Sequence, residues 1–336
     1  MEQAIGAFTL SAAVIAWAGT RLTQLGDRLA DATGLGEAVF GALLLGGTTS
    51  LAGIMASVTA AQAGEAELAA SNAIGGIAAQ TAFLAIADLF YQRANLEHAA
   101  ASLQNILMAV VLIGLLMMVL SAAHIPRFSF LGIHPVSPLL ILVYVLALRF
   151  VNIAGKRPMW RPLQTRLTVT DQPAPMASQA SSVFGLWIRF LLLAALVGFS
   201  GYVIAQSGIV VSRQTGLSAS LVGALFTAVS TSLPELVVAV SAVRIGSLTM
   251  AVSNIVGGNA FDVLFMALAD LAYTEGSLYH AMGKRPLVVI DISILMTVLV
   301  LLGLLYRERK GPGGIGWESL LLLGVFVGGY WILAQM

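Results

Sequence analysis

Apolar residues run through this chain in ten stretches of about twenty, each long enough to cross a bilayer as an α-helix. They predict helices near 4–21, 36–62, 67–91, 99–122, 133–152, 184–207, 217–243, 248–272, 286–306 and 315–334. Segments four, five, nine and ten are almost unbroken Leu, Val, Ile and Met, the pattern of a lipid-facing scaffold. Segments two, three, seven and eight are different, because Ser, Thr, Asn, Gln and Gly interrupt them at mid-depth.

Those four segments form a repeat. An offset of 182 residues, without a gap, carries residues 33–91 onto 215–273. Thr33-Gly34-Leu35 falls on Thr215-Gly216-Leu217, Thr49-Ser50-Leu51 on Thr231-Ser232-Leu233, and Ser71-Asn72 on Ser253-Asn254. Gly75-Gly76 falls on Gly257-Gly258, and Asp88-Leu89 on Asp270-Leu271. About two positions in five are identical, so the repeat is a statement about the fold. The reading is an all-α polytopic membrane protein of about ten transmembrane helices, arranged as two five-helix halves. The halves are residues 1–152 and 184–336, and 153–183 is a linker whose DQPAPMASQASS run has no periodicity.

Composition agrees and adds exclusions. Hydrophobic residues make up 58% of the 336 residues and charged residues 10%, which no water-soluble fold of this size could bury. The net charge of +1 points to no acidic partner, and nucleic acid is not expected. There is no cysteine, and the four histidines lack metal-ligand spacing. No nucleophile–base pair or phosphate loop is present, so an enzyme and a bound cofactor are not expected. The first segment lacks a basic leader and reads as a mature helix.

Orientation follows from Lys and Arg. With the N-terminus outside, thirteen basic residues fall at or near the cytoplasmic side and four outside. Both termini then face outward. Five helices per half is an odd number, so the repeats enter the membrane in opposite directions, the inverted plan of secondary transporters. Short loops suggest a prokaryotic inner membrane.

The chemistry concentrates in Leu225–Tyr273. Thr231, Ser232 and Glu235 share one helical face, and Asn254, Gly258 and Asp262 recur every four residues on the next. Pro234 cannot donate to Ser230 and should kink helix seven, freeing carbonyl oxygens near Ser230 and Thr231. Gly257-Gly258 should let helix eight approach closely or break, bringing Asp262, Asn254 and Asn259 to the same cavity. Carbonyls, hydroxyls and carboxylates are hard oxygen ligands for Na⁺ or Ca²⁺. Two acids at lipid depth need a cation, a proton or a base, and no Lys or Arg lies at matching depth.

TSLPEL followed by SNIVGGNAFD resembles the second signature repeat of the cation/calcium exchanger superfamily. The resemblance implies ten helices in two inverted halves, exchange of Ca²⁺ for Na⁺ or H⁺ by alternating access, and sliding of helices one and six. It implies ion-ligand or flanking positions for Thr231, Ser232, Glu235, Gly258 and Asp262. The first repeat keeps Thr49, Ser50 and Asn72 but departs elsewhere. Ala52 stands for the proline, Gly53 for the acid, and Gln80 for the acid or amide. Both acids therefore come from the second half. The expected site is Glu235 and Asp262 for charge, Thr49, Ser50, Thr231 and Ser232 for oxygens, and Gln80, Asn72 and Asn254 as braces.

Losing one acid leaves the ion open. A Ca²⁺ exchanger, a Na⁺/H⁺ or other cation/H⁺ antiporter, and a cation-sensing relative that does not transport all fit. Gly53 either leaves room for a hydrated or larger ion or marks a disabled half. Asp88 and Asp270 read as helix-end residues, Asp291 as snorkelling or pairing with Arg285, and Glu65 and Glu67 as a solvated turn or a cation-attracting mouth.

Overall fold

The computed structural model describes residues 1–33, 47, 49–91, 93–126, 129, 132–156, 158–166, 168, 183–308 and 315–336. Among these residues the elements are all helical. Each of the ten expected segments has a counterpart. They are α1 Glu2–Gly26, α2 Leu51–Gln62, α3 Ala66–Asp88, α4 Leu103–His124 and α5 Val136–Lys156 in the first half. The second half has α6 Val183–Thr215, the broken α7 Ala219–Thr231 plus Leu233–Ile245, α8 Leu248–Ala272, α9 Arg285–Tyr306 and α10 Trp317–Gln335. Residues 36–46, the first part of expected segment two, and most of the linker lie outside the described residues.

Small residues put α3 at the centre. Its Ala, Ser and Gly side chains let neighbouring backbones come close. A Cβ at Gly75 would collide with the Ala224 backbone, and one at Gly223 would lie 2.7 Å from the Leu68 carbonyl. Of the apolar stretch of α3, 94% is buried, against 72% for α8 and 22–33% for α1, α4, α5, α6 and α10. The scaffold reading therefore fits α4, α5 and α10. Helix α9 departs from it: 56% is buried, and its Ser293 hydroxyl donates to the Ile74 carbonyl of α3. Its Leu- and Val-rich composition is the same whether it faces lipid or protein, so the pattern could not separate the two.

The 182-residue relation holds in three dimensions and extends past the stretch where the sequence displays it. Asp88 accepts from the backbone N–H of Leu96 and Gly316 and from the Ser319 hydroxyl. Asp270 accepts from the N–H of Leu278 and His134 and from the Ser137 hydroxyl. Every partner in the second set is matched to one in the first by the same offset, with the halves exchanged. Each aspartate thus ties the end of its own central helix to the start of the last helix of the opposite half. Both are helix-end residues, as their position suggested.

The same exchange governs α1 and α6. A Cβ at Gly19 would strike the Pro234 ring, and one at Gly201 would strike the backbone of Ala52. Gly19 and Gly201 are repeat mates, as are Ala52 and Pro234. Each outer helix therefore lies flush against the bend of the other half's site helix.

Candidate cation site between the two halves

Both site helices break at the same place. In α7 the two pieces meet at Ser232 with a 47° bend. Pro234, in the first turn of the second piece, has no N–H for the Ser230 carbonyl, as expected. Ser232 takes φ −96°, ψ 7°, and Ser50 in the first repeat takes φ −89°, ψ 1°. Ser50 thus takes the same turn as Ser232 although Ala52 replaces the proline, and Gly201 lies against the Ala52 backbone.

The bends aim polar side chains at one another across the repeat boundary. The Ser50 hydroxyl donates to Asp262 Oδ1 at 2.5 Å, and Gln80 Nε2 donates to Asp262 Oδ2 at 2.6 Å. Gln80 Nε2 also reaches Ser232 Oγ at 3.3 Å. Gln80 and Asp262 are repeat mates, as are Ser50 and Ser232, so these contacts lie around the axis relating the halves. Glu235 is 1% exposed, receives the Thr49 hydroxyl, and lies within electrostatic reach of Asp262. Its Oε2 has no hydrogen-bond partner, and neither does Gln80 Oε1.

Gly76 and Gly258 flank this cluster from either side. A Cβ at Gly76 would lie 3.5 Å from Ser232 Oγ and 3.9 Å from Asp262 Oδ2, and one at Gly258 would lie 3.5 Å from Gln80 Oε1. Glu235, Asp262, Thr49, Ser50, Ser232, Gln80 and Gly258 are thereby brought together. No described Lys or Arg pairs with either acid: the ion pairs found among the described residues are Arg213–Glu65 and Arg285–Glu67.

Other expected members stand further back. Thr231 is buried, but its hydroxyl donates to its own helix at the Ala228 carbonyl. Asn72 is a brace: its amide donates to the Gly53 carbonyl and Ser57 Oγ, and its oxygen accepts from Thr227. That network pins α2, α3 and α7 together. Asn254 is half-buried with an unpartnered Nδ2, because Ala239 stands where Ser57 stands in the first repeat. Asn259 leaves the cavity and donates to Thr81 of α3.

Three expectations are corrected. Helix α8 does not break at Gly257-Gly258; it runs helical through them and turns at Val263. The close backbone approach is at Gly75, the repeat mate of Gly257, because Ala224 packs there. Gly53 does not leave space for an ion. A Cβ on it would lie 2.7 Å from Phe265 Cε2, so an aromatic ring covers the place of the missing acid. Asp291 is not paired with Arg285, which engages Glu67 and the Met336 carbonyl, and Glu65 pairs with the exposed Arg213 in a solvated turn. Phe265 and the bracing residues Ser57, Thr81 and Thr227 were not anticipated. A phenylalanine at both Phe83 and Phe265 was the available signal, but apolar residues carry no direction in sequence.

The chain matches the family described as Sodium/calcium exchanger protein over residues 3–160 and 184–334. Inner membrane protein YrbG of Escherichia coli (strain K12) is 28% identical over 144 residues, covering 42% of this chain and 41% of that protein. The putative antiporter CaxA of Alkalimonas amylolytica is 25% identical over 332 residues, covering 95% of each. The crystal structure of the H⁺/Ca²⁺ exchanger CAX superposes with a TM-score of 0.67 at 13% identity, covering 99% of this chain and 85% of that one. The family match takes in nearly the whole of both halves, and this integral membrane protein belongs to the sodium/calcium exchanger family.

Proposed function

We propose that the protein is a secondary active cation antiporter that exchanges Ca²⁺ for Na⁺ or H⁺. The observation that carries this reading is the pair of buried acids, Glu235 and Asp262, in contact with both halves and without a basic partner. Glu235 supplies the main charge and Asp262 the second. Hydroxyls of Thr49, Ser50 and Ser232, the freed carbonyl of Ser230 and Gln80 Oε1 complete an oxygen shell of the kind Ca²⁺ takes. Thr231 and Asn254 border the shell, Gly258 gives it room, and Asn72 braces it.

Exchange follows from charge. Two carboxylates at lipid depth cannot stay ionised and empty. The site changes sides only when one divalent ion, or monovalent ions or protons, offset them. Release of Ca²⁺ on one side must therefore be matched by uptake of the counter-ion before return. Helices α1 and α6, mostly uncovered by protein and flush against the two bends, are placed to slide and switch access. The setting is an inner membrane with both termini outside, the linker 153–183 on the cytoplasmic face, and inorganic cations and lipid as partners.

Phe265 over Gly53 favours a second reading, in which the ion is monovalent and H⁺ is the counter-ion. With that half of the cavity filled, two acids remain, and Ser50 and Gln80 already occupy both oxygens of Asp262. Flux in proteoliposomes separates the two. Ca²⁺ uptake driven by an outward Na⁺ or H⁺ gradient supports the first reading. Cation flux that follows ΔpH and ignores Ca²⁺ replaces it with the second. Binding without flux under any gradient overturns both.

A further inference from the structure

A second group of buried acids lies at the end of the molecule that carries the linker. Between α3 and α4 sits the short helix Leu96–Ala99. Glu97 on it is 0% exposed, and neither of its carboxylate oxygens has a partner. It lies within electrostatic reach of Asp88 and Glu318, both also 0% exposed. Glu318 accepts from the Asn95 amide on Oε1, while Oε2 has no partner. Asp88 is different: three donors hold it.

The other half shows what this frame needs. There Asp270 makes the same three bonds, but Tyr279 stands in place of Glu97 and Val136 in place of Glu318. The tie between halves therefore forms without the two glutamates. They are additions, and they bring three unpartnered acceptor oxygens into one dry place.

Among the described residues no base pairs with either glutamate. Arg307 gives NH1 to the Leu163 carbonyl and NH2 to the His98 carbonyl and Thr168 Oγ1. The His98 ring is held by the Arg307 carbonyl at 2.6 Å and Thr165 Oγ1 at 2.9 Å. Helices α8 and α9 pack on the short helix. Their remaining charged groups are Asp262 in the central site, Asp270 capping the opposite half, and Arg285 and Asp291 at the other end of α9. Glu308, beyond α9, faces Glu318 and adds negative charge.

We infer that Glu97 is a buried proton-binding site, held beside Asp88 and Glu318. A buried carboxylate with no donor from another residue neutralises because the charged form is far costlier. Burial, then the charges of Asp88 and Glu318, push the Glu97 carboxyl well above the usual range. His98 and Arg307 hold Leu163, Thr165 and Thr168 of the linker over this site. Loss of the proton leaves adjacent unscreened charges under that dock and loosens it.

The test uses the full chain in lipid nanodiscs with Glu235→Gln and Asp262→Asn, which removes the central acids and their protons. Infrared absorption should show a protonated carboxyl that titrates well above the ordinary carboxylate range, and Glu97→Gln should remove it. Trypsin cleavage at exposed Arg166 should quicken several-fold with rising pH, and Glu97→Gln should abolish that rise relative to the same protease control. Should Glu97→Gln fail to fold, Glu318→Gln, which removes a neighbouring negative charge, should move the titration of this carboxyl to lower pH. The absence of such a carboxyl in the parent, its survival in folded Glu97→Gln, or an unmoved titration in Glu318→Gln overturns the site.

Discussion

Restoring the acid that the first repeat lacks is a demanding perturbation, because the place is filled. A side chain at Gly53 begins 2.7 Å from Phe265 Cε2 and 3.4 Å from Cζ. Gly53→Glu alone is therefore an overpacking change, with a cost of about 1–3 kcal/mol. It should lower thermal stability and leave Ca²⁺ affinity unimproved, because the carboxylate cannot reach the cavity. Phe265→Ala alone opens a hole, costing about 3–5 kcal/mol for a buried aromatic. Together the two changes nearly conserve volume, and the double variant should recover much of the stability that either loses. It should also gain a ligand. A unit charge 4 Å from an ion is worth about 4 kcal/mol per ionic charge at an effective dielectric near 20. Repulsion from Glu235 and Asp262 takes back part of that gain. An increase in Ca²⁺ affinity of roughly tenfold or more remains, since about 1.4 kcal/mol suffices for each decade. Calorimetric Ca²⁺ titration and thermal unfolding of the four proteins read both effects. If Gly53→Glu alone is as stable as the parent, or binds Ca²⁺ as tightly as the double variant, the ring does not cover the site.

Three further outcomes are expected. Asp270→Ala should strand the His134 and Leu278 N–H groups, at about 1–3 kcal/mol for each buried group left unpaired, while the Ser137 hydroxyl keeps the Tyr279 hydroxyl. Asp88→Ala should match it, and a drop in melting temperature for one without the other would contradict the symmetric role. Gly201→Val should destabilise and impair transport through collision with Ala52, whereas Gly6→Val, with open space around it, should do neither; melting temperature and flux check both. His134 accepts from the Val136 N–H on Nδ1, and burial holds its pKa below the ordinary value. The folded state thus resists the proton. The stability contribution is complete above the unfolded value of about 6.5 and shrinks as pH falls below it. A melting temperature that declines on acidification should decline less in His134→Gln.

The sequence carried the framework unusually far, for a physical reason. Spans are set by the bilayer and by apolar length, so among the described residues eight of the ten runs are helices long enough to cross, a ninth is the bent α7, and the second run shows only the short helix Leu51–Gln62. The aspartate shared by Asp88 and Asp270 was legible because each meets backbone donors, where few other residues fit. Outside 33–91 the repeat dissolves in sequence, although His134 and Gly316 still do the same work. There the contribution is a backbone N–H, which any residue but proline provides. The turn at Ser50 was hidden because Ala52 carries no turn signal of its own. Phe265 was illegible because packing partners of an apolar side chain leave no mark on its own helix. The burial of α9 and the pairing of Glu65 and Glu67 depend on distant helices in the same way.

The most direct measurement concerns Glu235 and Asp262. Gradient-driven cation flux would be compared in proteoliposomes for the parent, Glu235→Gln and Asp262→Asn at equal reconstituted amounts. Glu235→Gln should abolish exchange, since of the two site acids Glu235 has the unpartnered oxygen, and Asp262→Asn should abolish it or change which counter-ion drives it. Parental rates and the parental counter-ion in both variants would contradict the assignment of the site.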